Sequence, residues 1–402
     1  MLSFTGGLFA VAARNVAYVL TDSPDTISVV DLASNTVTNT ISGINGFAFL
    51  AFTPDGSQAW VPLFKHPGQV DIIDTLTSVL SDSVSVGSFG TGIAFNAAGT
   101  KVYIANIGGS NVTIVDVATQ SLITTISVGT SPHGLAFSPD GTKVYVANAA
   151  GNSMSIINAV TQTLSSTIPV GTDPHLVAFT TDGSKAYVTN RNSNNISIID
   201  VALGSVSSVI SSGGTRPSGI VLTSTKAYVT NVSSNNVTVI DLASNTVVNT
   251  ISVGTNPLEI ALSPDGTRAY VANFTSKSVS VIDLALEQVI DTISFSGAPL
   301  GVATARVPAA QTISVTGSCK QNRFLTQTTF YNELSWGSAT GAIAYRVYRD
   351  AAFTLLVEET RQLSLIDPNR SFSTDYTYYV VSVDSLGDEA LEGQITIQGC
   401  PP

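Results

Sequence analysis

A short aromatic motif recurs seven times in the first three quarters of the chain, at an almost constant interval. The aromatic residues of the seven copies stand 41 to 43 residues apart and are Tyr18, Trp60, Tyr103, Tyr145, Tyr187, Tyr228 and Tyr270. A polar marker follows each of them by 13 or 14 positions, at Asp31, Asp74, Asp116, Asn158, Asp200, Asp241 and Asp283. Two markers that recur together at the same interval indicate seven copies of one structural unit.

Each unit predicts four β-strands joined by short turns. In the fourth copy the strands are predicted over residues 134–138, 143–148, 153–157 and 163–168. The segment Pro139-Asp140-Gly141 is typical of a tight turn, because proline presets φ and glycine supplies a positive φ. The strand segments are rich in β-branched and aromatic residues, as in strands that are buried on one or both faces.

A repeat of this length with four strands is typical of a β-propeller blade. One four-stranded sheet cannot bury both faces alone, so each face packs on a neighbouring blade and the ring closes on itself. The sequence therefore predicts an all-β fold with a seven-bladed β-propeller of four-stranded blades.

The first strand of the unit occurs eight times, which is one more than seven blades need. Gly7-Leu8-Phe9-Ala10 aligns with it at one end of the array, and Gly301-Val302-Ala303 aligns with it at the other. Two arrangements remain open. Either the last copy closes the ring as an exchanged strand and displaces residues 8–11, or it leads out into the next domain.

The repeat motifs resemble those of the YVTN β-propeller family. The resemblance rests on Val144-Tyr-Val-Ala-Asn148, Ala186-Tyr-Val-Thr-Asn190 and Ala227-Tyr-Val-Thr-Asn231, on the SPDG turns and on ends such as Val239-Ile240-Asp241, and it covers residues 5–305. It implies a propeller carried by secreted or cell-surface proteins, including surface-layer proteins, and no fixed catalytic residues. The first two copies depart from the motif, with Leu20-Thr21 and Trp60-Val61-Pro62.

The composition excludes several classes of protein. Charged residues make up 11% of the chain and hydrophobic residues 44%, whereas disordered chains combine low hydrophobicity with high charge. The net charge is −11 without Lys/Arg clusters, so nucleic acid is excluded as an expected partner. No apolar run reaches 18 residues, so we expect no transmembrane segment. Residues 1–13 lack a basic region and show no evident signal peptide.

The composition changes after Pro308-Ala309-Ala310, which predicts two domains, 1–308 and 309–402. The second has strand-like runs with an early Trp336 and a late Tyr376-Thr-Tyr-Tyr-Val-Val-Ser-Val383 segment. This pattern resembles a fibronectin type III-like module, an Ig-like β-sandwich. Such modules act mostly as spacers and as adhesive or docking units.

The two cysteines, Cys319 and Cys400, bracket the second domain. A disulfide between them would pin its ends, contribute roughly 4 kcal/mol in the loop-entropy model and indicate an oxidising compartment. The alternative is two unpaired thiols, since the first and last strands of such sandwiches tend to end at opposite poles. The spacing excludes a CxxC zinc site.

Two histidines occupy the same repeat position, at the start of a first strand. They are His133 and His175, and in the aligned repeats Asp173, Arg216 and Glu259 lie close by. One hypothesis is a polar pocket at one mouth of the central channel, built from these five residues, that binds a small anion or a partner side chain. The other is that Pro-His is a repeat-consensus residue whose imidazole is hydrogen-bonded between blades.

The catalytic alternatives have little support in the sequence. Motifs for serine hydrolases, zinc proteases, P-loop proteins and dinucleotide-binding proteins are missing in their required context. Two histidines are too few for a multicopper cluster, and the repeated carboxylates should cap turns around the rim. We therefore expect no metal and no cofactor.

The sequence predicts a non-enzymatic secreted or cell-surface binding and scaffold protein, located outside the cell or in its envelope. Its neutral loops, rich in Ser, Thr, Asn and Gly, suit contact with a protein or glycan partner, and a closed ring needs no oligomerisation, so we expect a monomer. The alternative is a small-molecule-binding or lactonase-like propeller enzyme that acts at the channel mouth. A converging polar pocket there would favour the enzyme, and a channel filled with Ala and Leu would favour the scaffold.

Overall fold

The computed structural model describes residues 14–44, 49–307, 315–324, 327–336, 344–348, 356–360, 362, 364–367, 376–383 and 389–397. The chain divides into two compact units, of which one runs from Arg14 to Pro308 and the other contains the chain from Ala309 onward.

The first unit is a seven-bladed β-propeller, and each blade is a four-stranded antiparallel sheet. From the first strand, at the axis, to the fourth, at the outer edge, the strands are Ala298–Val307, Arg14–Asp22, Thr26–Asp31 and Thr36–Ser42 in blade 1; Ala51–Phe52, Gln58–Leu63, Gly68–Asp74 and Val79–Val86 in blade 2; Gly90–Phe95, Lys101–Asn106, Asn111–Asp116 and Ser121–Ser127 in blade 3; Pro132–Phe137, Lys143–Asn148, Ser153–Asn158 and Thr163–Pro169 in blade 4; Pro174–Phe179, Lys185–Asn190, Asn195–Asp200 and Ser205–Ser211 in blade 5; Pro217–Leu222, Lys226–Asn231, Asn236–Asp241 and Thr246–Ser252 in blade 6; and Pro257–Leu262, Arg268–Asn273, Ser278–Asp283 and Gln288–Ser294 in blade 7. A single 3₁₀ turn, Ile107–Gly109, is the one helical segment in these described ranges.

The last copy of the first strand closes the ring. Ala298–Val307 pairs antiparallel with Arg14–Asp22, with Val302 opposite Val19, so blade 1 combines one strand from the end of the array with three from its beginning. Of the two arrangements that the sequence left open, ring closure is therefore the correct one. Residues 8–11, which this strand was expected to displace, lie outside the described residues.

A buried asparagine ends the second strand in each of blades 3 to 7 and hydrogen-bonds to the start of the third strand. In blade 4 the Nδ2 atom of Asn148 donates hydrogen bonds to the hydroxyls of Ser153 at 3.1 Å and Ser155 at 3.0 Å. Gly129 packs directly on this amide, since a Cβ built there would lie 2.5 Å from Cγ of Asn148. The asparagine, the glycine and the hydroxyl residues therefore pack together.

The aromatic residue of each copy joins its blade to the next one. The ring of Tyr103 packs edge-on against Phe137 of the following blade, with the ring centroids 5.0 Å apart. The hydroxyl of Tyr187 donates to Oδ1 of Asn245, also one blade on, at 2.6 Å. The hydrophobic core therefore consists of layers between facing blades.

The carboxylates that mark the repeat cap turns, as the sequence predicted. Oδ1 of Asp116 accepts hydrogen bonds from the backbone amide and the hydroxyl of Thr119, both at 2.9 Å. These bonds hold the pKa of Asp116 below its usual range.

The second unit contains two antiparallel sheets. In spatial order, the first has the strands Val315–Phe324, Gln327–Trp336 and Ser364–Asp367, and the second has Leu356–Thr360, Ala344–Tyr348, Tyr376–Val383 and Glu389–Ile397. Among the side chains that can be described, Leu334, Trp336, Val347 and Tyr378 are buried. The Cys319–Cys400 pairing lies outside the described residues and stays a prediction.

Candidate functional site

The first strands of the propeller begin at one end of the central channel, which we call the upper mouth. Its polar residues include Thr91, His133, His175 and Ser218, all at the same repeat position, together with Arg191, Asn256 and Glu259. His175, Ser218 and Glu259 are buried, and His133 and Arg191 are half-buried.

Loop hydrogen bonds place the residues that surround this mouth. Asp173 and Arg216 both have positive φ values of 56°, and their backbone amides donate to the side-chain oxygens of Asn152 and Asn194 at 3.0 and 2.8 Å. The backbone carbonyl of Asp173 in turn accepts a hydrogen bond from the amide of Arg191 at 2.9 Å. The start of the first strand and the end of the second are thereby held together in blade 5.

The two imidazoles lie against each other. The ring centroids of His133 and His175 are 3.9 Å apart and the rings are nearly perpendicular, at 85°. Phe49 reaches them from blade 2 and packs edge-on against both, with centroid distances of 5.2 and 6.3 Å. Neither imidazole forms the hydrogen bond between blades that the repeat-consensus hypothesis predicts, at least among the residues that the structure describes.

Arg191 is the central charge of the upper mouth, and the sequence reasoning missed it. Its charge acts on His133, His175 and Glu259, so the structure brings the sequence-predicted residues together around it. Burial lowers the pKa of Arg191, and the neighbouring Arg216 lowers it further, against the opposite effect of Asp173 and Glu259. One signal could have identified it, because Arg191 is the only basic residue at this position of the seven repeats.

Burial sets the protonation states at the upper mouth. It lowers the pKa of His133 to about 3, with a further contribution from the charge of Arg191. It lowers the pKa of His175 well below the usual range, helped by the charges of His133, Arg191 and Arg216. Burial also raises the pKa of Glu259 to about 8, although Arg191 opposes this shift. At neutral pH the imidazoles are therefore neutral and Glu259 is mostly protonated.

Several buried polar atoms at this mouth have no hydrogen-bond partner. Within the described ranges they are Nδ1 of His133, Nδ1 of His175, Nε of Arg191, Oγ of Ser218 and Oδ1 of Asn256. Arg191 also makes no ion pair with any described residue, and the described part of the chain holds a single ion pair, between Lys226 and Glu287. Buried polar groups in native proteins are nearly always paired with protein groups or ordered water, so we expect water or a ligand to partner this set.

The opposite end of the channel is mainly apolar. A cavity of about 520 Å³ there is lined by the ends of the first strands, including Leu50, Ile260, Ala261 and Val302, with Arg306 at its edge. A second cleft, of about 490 Å³, lies beside the upper mouth between blades 4 and 5 and includes Asp173. The channel is therefore polar at one end and apolar at the other. It matches neither the converging polar pocket expected of an enzyme nor the channel filled with Ala and Leu expected of a scaffold over its whole length.

The described part of the chain contains no candidate metal centre and no candidate membrane-spanning helix. No group of three or more His, Cys, Asp or Glu side chains is arranged to hold a metal ion there. None of its helices is long and apolar enough to cross a membrane.

Two protein families match parts of the chain. Residues 72–189 match the YNCE-like beta-propeller, and residues 153–304 match the choice-of-anchor I domain. No curated protein matches the chain. The YNCE-like match and the structure agree on a β-propeller.

Solved structures support the same fold. A functionally unknown protein from Desulfotomaculum acetoxidans is 18% identical with a TM-score of 0.64, over 73% of this chain and 100% of that one. Kuenenia stuttgartiensis hydrazine synthase is 21% identical with a TM-score of 0.59, over 66% of this chain and 91% of that one. At these identities the likeness shows the fold alone, so this chain is a β-propeller protein whose function has to be inferred from its own residues.

Proposed function

We propose that this chain is a non-enzymatic binding and scaffold protein, secreted or held at the cell surface, that contacts protein or glycan partners through the rim of its propeller. The rim consists of the seven fourth strands and the turns that precede them. The choice-of-anchor match over residues 153–304 supports the location.

The observation that carries this proposal is the chemistry of the rim. The fourth strands are mostly exposed, and most of their side chains are Ser, Thr, Asn and aliphatic residues, such as Leu122 and Val248, which are 58% and 53% exposed. Their only charged residues are Asp82 and Asp291. Natural proteins protect exposed strand edges with charges, especially lysine, so seven edges without a basic residue indicate a surface that is used for contact.

The test measures binding of the purified full chain to an envelope fraction of the source cell. In the double variant Leu122→Lys, Val248→Lys, two lysines on separate blades should abolish co-sedimentation with the envelopes. The matched control, Ala150→Lys with Asn192→Lys, places two lysines in exposed loops of the upper face and should bind like the wild type. Equal binding of both variants would refute the rim as the contact surface.

The second unit supports a spacer role. Its sheets of three and four strands, with buried Trp336 and Tyr378, are typical of a fibronectin type III-like sandwich, which we propose for residues 309–402.

We further propose that the propeller is a YVTN-type propeller and that the chain is monomeric. Light scattering across a concentration series tests the last point, and a mass that rises with concentration would contradict it.

The second candidate function is action on a small molecule, as in a lactonase-like enzyme, at the upper mouth. The observation that favours it is Glu259, since a pKa of about 8 suits a general acid or base near neutral pH. Hydrolysis of a panel of simple lactones tests it. Activity that is lost in Glu259→Gln and kept in His66→Gln would establish the enzyme, and no turnover by the wild type would exclude this reaction.

A further inference from the structure

Most of the unpartnered atoms of the upper mouth can donate a hydrogen bond. Nε of Arg191 can only donate, the hydroxyl of Ser218 can donate or accept, and Nδ1 of each neutral imidazole donates in the tautomer that carries its proton there, whereas Oδ1 of Asn256 only accepts. Ser218 is fully buried and His175 is 6% exposed, so bulk solvent does not reach them freely. A set in which four buried groups can donate and one only accepts is complementary to an acceptor-rich ligand.

The charges at this mouth favour a ligand with a negative charge. Arg191 is half-buried and lacks an ion pair in the described structure, and Arg216 lies near enough to lower its pKa. Glu259 is mostly neutral at pH 7, and Asp173 makes no ion pair with either arginine. A singly charged carboxylate supplies the negative charge that the half-buried guanidinium of Arg191 lacks, and its planar geometry fits that group.

We infer that the upper mouth binds the carboxylate of a small organic molecule, with Arg191 as the anchor and Ser218, His133 and His175 as further donors. Phe49, packed edge-on against both imidazoles, forms an apolar wall beside the bound group. This site goes beyond the proposed contact role of the rim and does not depend on it, because the two surfaces share no residue.

Binding at this site should weaken as the pH rises. Above about pH 8 Glu259 is ionised, and its carboxylate competes with the ligand for the charge of Arg191. Arg191 is the charged group that faces Glu259. The affinity for a carboxylate ligand should therefore fall severalfold between pH 7 and pH 9. In Glu259→Gln this dependence should disappear, because the side chain no longer titrates.

The experiment titrates acetate into the full chain at constant ionic strength, and saturation-transfer NMR on the acetate methyl group reports binding. Acetamide, a neutral molecule of the same shape, and inorganic phosphate serve as comparison probes. We expect saturable binding of acetate, none of acetamide, and weaker binding of phosphate. Arg191→Gln should weaken acetate binding by about tenfold or more, whereas Arg306→Gln, at the opposite end of the channel, should leave it unchanged.

Three results would overturn the inference: acetate that does not bind saturably, phosphate that binds more tightly than acetate, or equal acetate affinity of Arg191→Gln and the wild type. Circular dichroism checks that each variant is folded. If Arg191→Gln does not fold, Ser218→Ala removes one donor with little change in volume and should still weaken acetate binding severalfold. An unchanged affinity in that variant would also refute the site.

Discussion

At the scale of single residues, the repeat is held by contacts between side chains that lie far apart in the sequence. The amide of Asn148 fills the space above Gly129, where a Cβ would lie 2.5 Å from Cγ. The periodicity shows that both residues recur, but it does not show that they touch. That information comes only from the packing of the strands.

Gly129→Ala should therefore lower the free energy of unfolding by about 1–3 kcal/mol, the usual effect of overpacking in a well-packed interior. In an Asn148→Ala background the same substitution should have a smaller effect, because most of the colliding atoms are gone. Urea denaturation of the four proteins of this double-mutant cycle measures the coupling. Strictly additive effects would contradict the contact.

The pH dependence of stability should reflect His133. Its pKa is about 3 in the folded protein and 6.5 in the unfolded chain, because burial and the charge of Arg191 disfavour the imidazolium. Between these values the unfolded state binds the extra proton, so stability falls as the pH falls below 6.5, by at most about 1.4 kcal/mol per pH unit from this group.

His133→Gln should accordingly lose less stability than the wild type between pH 6.5 and pH 4.5. Thr167→Gln, which replaces an exposed residue without a titratable group, is the control and should follow the wild-type curve. Urea midpoints at several pH values provide the measurement. Parallel curves for His133→Gln and the wild type would show that His133 is not held neutral.

The sequence located most of the candidate site but missed its central charge. His133 and His175 stand out because they occupy one repeat position, and Asp173, Arg216 and Glu259 are their neighbours in the alignment. Arg191 follows the second strand of blade 5, and the antiparallel pairing of that strand with the first strand, with Asn190 opposite Pro174, brings it to the mouth. The same backbone hydrogen bond recurs in other blades, as from Val232 to Arg216, so the period predicts this proximity but does not single out the charge of Arg191.

At the scale of elements, threonine in the second strand links neighbouring blades. The hydroxyl of Thr189 donates to the carbonyl of Ser218 in the next blade at 2.8 Å and accepts from the amide of Leu176 at 3.1 Å. Thr230 makes the equivalent pair of bonds one blade further on. Copies with alanine at this position, such as Ala147, have no side-chain hydroxyl for these bonds.

Thr189→Val keeps the shape of the side chain and removes both hydrogen bonds, which leaves the amide of Leu176 without this partner. We expect the free energy of unfolding to fall by about 1–3 kcal/mol. Thr167→Val, on an exposed fourth strand, is the control and should change it by less than about 0.5 kcal/mol. Similar values for the two variants in chemical denaturation would contradict the link between blades.

At the scale of the whole molecule, the period predicted the number of blades and strands, but not how the ring closes. Gly7-Leu8-Phe9-Ala10 and Gly301-Val302-Ala303 both fit the first-strand pattern, and local pattern alone cannot rank two segments that fit equally. The pairing of Val302 with Val19 decides between them.

Truncation tests the closing strand directly. A chain that ends at Ser296 lacks Ala298–Val307 and exposes the buried Arg14–Asp22 strand, so it should lose cooperative thermal unfolding or aggregate. A chain that ends at Pro308 keeps the closing strand and should unfold cooperatively as a monomer. Circular dichroism and size-exclusion chromatography distinguish the outcomes, and a well-folded shorter chain would refute closure by this strand.

The same closing strand sets an order of events during synthesis. The ribosome releases Arg14–Asp22 first and Ala298–Val307 only after all the other strands of the propeller, although the two belong to one sheet. Until then blade 1 has an open edge facing the axis, and such long-range pairings form slowly. The nascent propeller therefore remains an open arc, exposed to wrong pairing and to proteases, until its last strand has left the ribosome.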